Sequence, residues 1–349
     1  MIVKYSKSSK FYMAHKNDYF YNNKDLYSQQ RKINTIYLNQ PIRVHCKLCK
    51  TLLTDKVDFY SHSVGYKFCI RCGHLNGEKE DTENFVNDVY KDSVKISYSS
   101  NYVDDDYVTR VHDIYTPKID FMIDSIGHSD FSVLDVGCGG GHLVLALLNK
   151  GIDARGLDIS KDMIAYGNKQ IDLLNNIEPL QSVESEEDLI RAIEMTDHNV
   201  ISAIGVIEHL RDPERFLAAF KNSKADYLFA CVPMFSLSVY IENVFKSIYP
   251  RNLSGGHTHI FTNDSLQWMY DHFELDPISE WRFGSDIMDL FRSMLVSIKE
   301  KNASDVFIDK LSYNLGNNID ALQNIIDQSN FSSEVHFLLQ ASSKITSNP

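Results

Sequence analysis

Between Val133 and Leu143 the chain reads VLDVGCGGGHL, a short apolar run that breaks into glycines and restarts as a helix-forming segment. Gly137, Gly139 and Gly141 permit backbone angles that side chains resist, so the chain can turn tightly and bring its amides close to a ligand. A helix beginning there points its free N–H groups at that ligand. The pattern predicts an α/β unit with a ligand crevice at the carboxyl end of a parallel strand. Many nucleotide-binding proteins share such a turn, and on this evidence alone a nicotinamide dinucleotide stays open.

The following strand narrows the choice. Asp158 ends the segment ARGLDIS, 17 residues beyond Gly141, where a carboxylate can accept hydrogen bonds from both hydroxyls of a ribose. The competing role, capping a helix that starts near Ser160, stays open here. Strands are expected at 132–136, 154–159, 178–183, 199–204, 227–232, 278–282 and 335–341, with helices at 142–150 and 161–171. This alternation predicts an α/β, doubly wound, Rossmann-like sheet with helices on both faces. Val108, Val111, Tyr115, Ile119, Met122 and Ile126 keep helical spacing over 106–126, and Gly127 is the expected stop.

Three ordered segments, VLDVGCGGGHL, GLDIS and GVIEHLRDPERFL, resemble the first, second and fourth motifs of class I S-adenosylmethionine-dependent methyltransferases, over about residues 105 to 285. The resemblance implies an antiparallel edge to the sheet. It also implies that Asp135 approaches the methionine amino end and that Gly137, Cys138, Gly139 and Gly141 line the methionine and ribose. Asp158 and Ile159 would then face the ribose, and Ser182, Val183 or Glu184 the adenine.

Composition sets limits on partners and place. The 349 residues, 43% hydrophobic and 23% charged, suit a soluble globular chain of two or three domains. A formal charge of −12, from 47 acidic against 35 basic residues, disfavours nucleic acid. No apolar run approaches the length of a membrane span and no signal-like arrangement opens the chain, so a cytoplasmic location is expected.

Cys46, Cys49, Cys69 and Cys72 form two CxxC pairs separated by 19 residues. In a reducing compartment this spacing predicts a closed, structural, tetrahedral Zn²⁺ site, with a rubredoxin-like iron site as the rival. His45, His62 and His74 are expected to be solvated bystanders, and Cys231 a small core residue. The chain divides into an irregular leader (1–40), a zinc module (41–80) and a connector with entry helix (81–127). A cofactor core (128–285) with a lid over 235–262 and a C-terminal helical segment with the last strand (286–349) complete it. The last segment either packs on the core or forms a dimer contact.

Chemistry is expected after the fourth core strand, at Glu208 and His209, and in the 27-residue stretch from Phe235 to Phe261, which holds Arg251, Gly255, Gly256, His257 and His259. The EH pair with HxHxF resembles methyltransferases of small-RNA 2′-hydroxyls and of catechol-like quinone precursors, in which the equivalent glutamate and histidines can hold a divalent metal. Here Gly205 stands where the RNA enzymes have a further glutamate, and that lost charge disfavours a hard cation. His257 or His259 is therefore expected as general base, against a purely lid-pinning role. The segments YKFCIRCG, GGHTHIFTNDSLQWM and WRFGSDIMDLFRSM resemble bacterial sugar and surface-polysaccharide methyltransferases. That resemblance implies a small polar or glycan acceptor, most simply a sugar or nucleotide sugar. An RNA-directed enzyme and a non-catalytic cofactor-fold binding protein are the rivals.

Overall fold

The computed structural model describes residues 1–10, 20, 22–86, 88–89, 106–175, 177–253 and 257–342. β1 (Ile2–Tyr5) comes first, and β2 (Phe59–Ser61), β3 (Val64–Phe68) and β4 (Leu75–Gly77) belong to the cysteine segment. β5 (Val133–Val136), β6 (Ala154–Asp158), β7 (Leu180–Ser182), β8 (Val200–Ile204) and β9 (Tyr227–Pro233) follow. β10 (His259–Ile260), β11 (Leu275–Phe283) and β12 (Glu334–Ala341) complete the set.

Eight strands form the main sheet in the order β1-β11-β12-β9-β8-β5-β6-β7. β5 to β9 run parallel, and β12 is antiparallel to both β9 and β11. The sequence predicts every core strand to within a few residues because central parallel strands are covered on both faces. They read as unbroken apolar runs, and all four residues of β5 are buried. The strand order reverses beside β5, and there the carboxyl ends of the strands open a crevice.

The first helices are α1 (Asn23–Leu38), α2 (Glu83–Val86), α3 (Tyr107–Arg110) and α4 (Thr116–Ile126). α3 passes into α4 through a wide turn at Val111–Tyr115, and Gly127 ends α4 at φ 90°. α5 (His142–Leu148), α6 (Lys161–Asn175), α7 (Glu186–Met195) and α8 (Pro213–Asn222) cover the sheet. α9 (Leu237–Val244), α10 (Asn263–Phe273), α11 (Asp286–Glu300), α12 (Asp305–Asn314) and α13 (Ile319–Gln328) follow. α11 and α13 share a buried cluster with Phe20, so the C-terminal segment packs on its own chain, whereas α12 buries none of its residues.

Among its described residues the leader is not irregular. β1 pairs in parallel with β11, and α1 buries Asn23, Gln30, Ile33, Asn34 and Tyr37. That stripe keeps helical spacing but consists largely of amides, so an apolar period does not reveal it. Tyr21, expected to pack locally, lies outside the described residues.

β2, β3 and β4 form an antiparallel sheet, to which β10 adds with His259 opposite Asn76 and Ile260 opposite Leu75. Cys46, Leu48, Cys49, Leu53, Cys69 and Cys72 belong to the same buried cluster as Leu210, Phe216, Met234 and Phe261. A segment too small for its own core thus packs into that of its neighbour. Among the described residues no helix is long and apolar enough to cross a membrane.

Candidate functional site

Gly137, Gly139 and Gly141 sit at φ +69°, +52° and +72°. A Cβ on Gly137 would lie 2.5 Å from Val206 Cγ2, and one on Gly141 would lie 2.6 Å from Leu180 Cδ1, so packing as well as backbone angle requires both glycines. Gly139 instead faces open space, with Met163 Cε 3.8 Å away, as a backbone approached by a ligand must. Tyr107 of α3 donates its hydroxyl to the Gly140 carbonyl at 2.7 Å and holds the turn from outside.

Asp158 accepts the Gly139 amide on Oδ2 and the Ser160 amide on Oδ1, each at 2.8 Å. One carboxylate therefore fastens the turn to the next helix, and each oxygen keeps a lone pair for a further donor. Val183 N–H donates to the Asp158 carbonyl at 2.9 Å, and Ile159 and Val183 are partly buried against the core. The Cys138 thiol points to the Gly139 carbonyl at 3.7 Å.

Asp135 is 3% exposed and accepts the Ser202 hydroxyl at 2.6 Å, while burial pushes its pKa up to about 7. Lys118, which the sequence reading missed, lies within electrostatic reach of it. This lysine is buried on α4, with its ammonium 5.3 Å from the centre of the Tyr115 ring. A cation on the stripe of Val111, Tyr115 and Met122 was the available signal.

On the other side of the crevice, the helical turn Ile207–His209 after β8 brings Glu208 and His209 together with His257, with a ligand atom from each inside 4.8 Å. Glu208 is buried, its Oε2 has no hydrogen-bond partner, and burial pushes its pKa up to about 8. The His209 and His257 rings lie 5.3 Å apart. Burial lowers both, His209 to about 3, which keeps them neutral near pH 7. His257 donates Nδ1–H to the Asn252 carbonyl at 2.9 Å, so Nε2 carries the lone pair.

His259 stands outside that trio. Its Nδ1 meets His74 Nε2 at 2.8 Å, both rings are fully buried, and burial holds both well below the ordinary histidine range. His74 is thus no solvated bystander, because the pairing of β4 with β10 closes over it. The segment around His257 is tied down from several sides. Glu242 accepts the amides of Arg251 and Leu253 at 2.7 and 3.0 Å, and Asp289 takes the Arg251 guanidinium at 2.8 Å. Gly255 and Gly256 lie outside the described residues.

The four cysteines of the CxxC pairs converge within 4.8 Å and are buried, with Cys46 Sγ 3.6 Å from Cys72 Sγ and Cys49 Sγ 3.4 Å from Cys69 Sγ. A tetrahedral thiolate shell with bonds of about 2.3 Å sets its edges near 3.8 Å, whereas a disulfide closes to about 2.05 Å. The donors and spacing fit a four-thiolate metal site.

A sheet of this order, with a glycine turn on its first core strand and an acidic end on the second, defines a class I S-adenosylmethionine-dependent methyltransferase. Residues 107–280 match the family model described as a methyltransferase domain, and this stretch of the chain belongs to that family. A ubiquinone biosynthesis O-methyltransferase of Dechloromonas aromatica is 30% identical over 135 residues, 35% of this chain and 58% of that protein. One of Pseudomonas savastanoi pv. phaseolicola is 31% identical over 114 residues, 31% of this chain and 46% of that protein. The chain thus spans about half the length of these curated relatives. A crystal structure of a SAM-dependent methyltransferase from Archaeoglobus fulgidus aligns with TM-score 0.38 at 15% identity, over 64% of this chain and 92% of that one.

Proposed function

We propose that this chain transfers a methyl group from S-adenosylmethionine to a small polar acceptor, a sugar or nucleotide sugar, with a structural Zn²⁺ on the four cysteines. The observation that carries the reading is the convergence of Glu208, His209 and His257 beside the crevice that the glycine turn and Asp158 define. When bound, the cofactor supplies an electrophilic methyl on a sulfonium. Asp158 takes the ribose hydroxyls, Gly139 allows close approach, Asp135 receives the methionine ammonium and Lys118 its carboxylate. His257 Nε2 accepts the acceptor's proton as general base, since its other nitrogen is committed to Asn252. His259, held against His74, supports β10, which begins two residues beyond His257.

Incubating the protein with labelled cofactor and a panel of nucleotide sugars, glycans, catechols and RNAs tests the acceptor class; labelling of RNA alone would overturn it. His257→Ala is expected to lower kcat by about 10²- to 10⁴-fold with cofactor affinity unchanged. Undiminished turnover would remove the base role.

A second reading, a catechol-type hydroxyl with a divalent cation on Glu208, His209 and His257, rests on two observations. The bare Glu208 Oε2 and the carbonyl-tethered His257 resemble a prepared ligand set, and the curated relatives carry quinone-pathway names. Turnover of a catechol that rises with added Mg²⁺ favours it.

Two expectations concern the cofactor end. With its pKa near 7, Asp135 is mostly protonated in the free protein at pH 6 and must lose that proton to receive an ammonium. Affinity should therefore fall about tenfold per unit below pH 7 and level off above it, with proton release in calorimetry. A flat profile would separate Asp135 from the ammonium. Lys118→Met should weaken S-adenosylmethionine binding by about 10- to 100-fold, a charge-assisted bond being worth about 1.5–3 kcal/mol. Binding of 5′-methylthioadenosine, which has no carboxylate, should stay unchanged.

A further inference from the structure

A second group of metal-ligating side chains lies in the main sheet itself. β12 runs antiparallel to its neighbours, so its first residue, Glu334, sits at the carboxyl edge of β9, opposite Pro233. Two residues on, His336 shares its face, and Cys231 lies directly across on β9. Strand register, rather than a loop, therefore aims a carboxylate, an imidazole and a thiol at one point, and their ligand atoms fall within 4.8 Å.

Cys231 and His336 are buried, while the Glu334 side chain is 26% exposed, so the group is closed on the sheet side and open at one corner. Two hydrogens now link the three. Cys231 donates S–H to Glu334 Oε1 at 3.2 Å, and His336 donates Nε2–H to the same oxygen at 2.7 Å. Glu208, whose buried Oε2 has no partner, lies within electrostatic reach of Cys231 and Glu334. Lys118 faces the cluster from α4 as the opposing cation.

We infer that Cys231, Glu334 and His336 form a second metal site, for a borderline divalent ion of the zinc type, with one coordination position open to the crevice. Sulfur, nitrogen and oxygen together select such an ion over magnesium or calcium, and three protein ligands leave a fourth position vacant. A tetrahedral ion with ordinary bond lengths sets S···O near about 3.5 Å and N···O near about 3.3 Å, so from 3.2 and 2.7 Å the two pairs need to part by about 0.3 and about 0.6 Å. Binding is a proton exchange. The Cys231 proton leaves to solvent as the sulfur–metal bond forms, and the His336 proton moves from Nε2 to Nδ1. Two negative ligands outweigh the single charge of Lys118. The site stands independently of the acceptor chemistry proposed above.

The test uses the full chain with its four-cysteine site filled with zinc, checked by metal analysis, and titrated with Co²⁺. A thiolate-to-cobalt charge-transfer band should grow to one equivalent with no zinc released, since Glu208, His209 and His257 contain no sulfur to produce it. Cys231→Ser should abolish the band, and His336→Gln should weaken binding at least tenfold. Absence of the band in the unaltered protein, or its survival in Cys231→Ser, overturns the proposal; the first of these outcomes needs no variant to fold.

Discussion

With the zinc proposed for Cys46, Cys49, Cys69 and Cys72 in place, stripping it is expected to abolish methyl transfer while leaving S-adenosylmethionine bound. The cofactor end of the crevice is built by β5, β6 and their turns, and its glycine turn is fastened by Asp158 rather than by a residue of the cysteine segment. The acceptor end depends on it. β4 pairs with β10, Gly77 N–H donates to the Thr258 carbonyl at 2.8 Å, and Tyr66 donates its hydroxyl to the His257 carbonyl at 3.4 Å. His74 meets His259 at 2.8 Å from the same side. Structural zinc contributes about 10–16 kcal/mol in small modules, as much as a whole domain's stability of about 5–15 kcal/mol, so the segment should unfold without it. A reacting group displaced by about 1 Å costs about 100-fold, and His257 should move by more. The measurements are turnover, calorimetric cofactor affinity, and amide exchange over 257–262 before and after chelation. Unchanged exchange together with full turnover would mean that the cysteine segment does not hold the acceptor side in place.

Asp158→Ala is expected to have the largest effect on cofactor affinity. The two charge-assisted hydrogen bonds proposed from Asp158 to the ribose would each be worth about 1.5–3 kcal/mol, so the dissociation constant should rise by about 10²- to 10⁴-fold. The substitution also releases the amides of Gly139 and Ser160, both now held at 2.8 Å. Asp158→Asn separates the two contributions, because it keeps the shape and an acceptor oxygen while removing the charge. Its calorimetric affinity should fall between those of the parent and the alanine variant. If alanine leaves cofactor affinity intact, Asp158 serves only to fasten the turn to the helix beyond it.

The legible parts of this chain were those in which chemistry and periodicity coincide. β5 to β9 are short apolar runs between turn residues, and Gly127 ends its helix as expected. The glycine turn meets Asp158, and at a separate place the four cysteines of the CxxC pairs meet one another. What escaped has physical reasons. α1 buries amides, so hydrophobic period does not mark it, and β1 is four residues long and largely exposed. Lys118 reads as a solvated charge until the helix phase buries it. Cys231 reads as a small core residue because its partners, Glu334 and His336, lie about a hundred positions away and meet it only through strand register. His74 and His259 could be paired only once β10 was known to join β4.

β1 has a consequence for handling the protein. A strand at the rim of a sheet offers bare amides and carbonyls to any passing chain, and covering that rim is a common protection against sheet-to-sheet sticking. Here Ile2 to Tyr5 hem β11, with Lys4 laid over the Trp281 ring at 4.0 Å and the Trp281 indole N–H bonded to the Ser6 carbonyl at 2.9 Å. A fusion partner or affinity tag joined ahead of Ile2 therefore pulls directly on this seam.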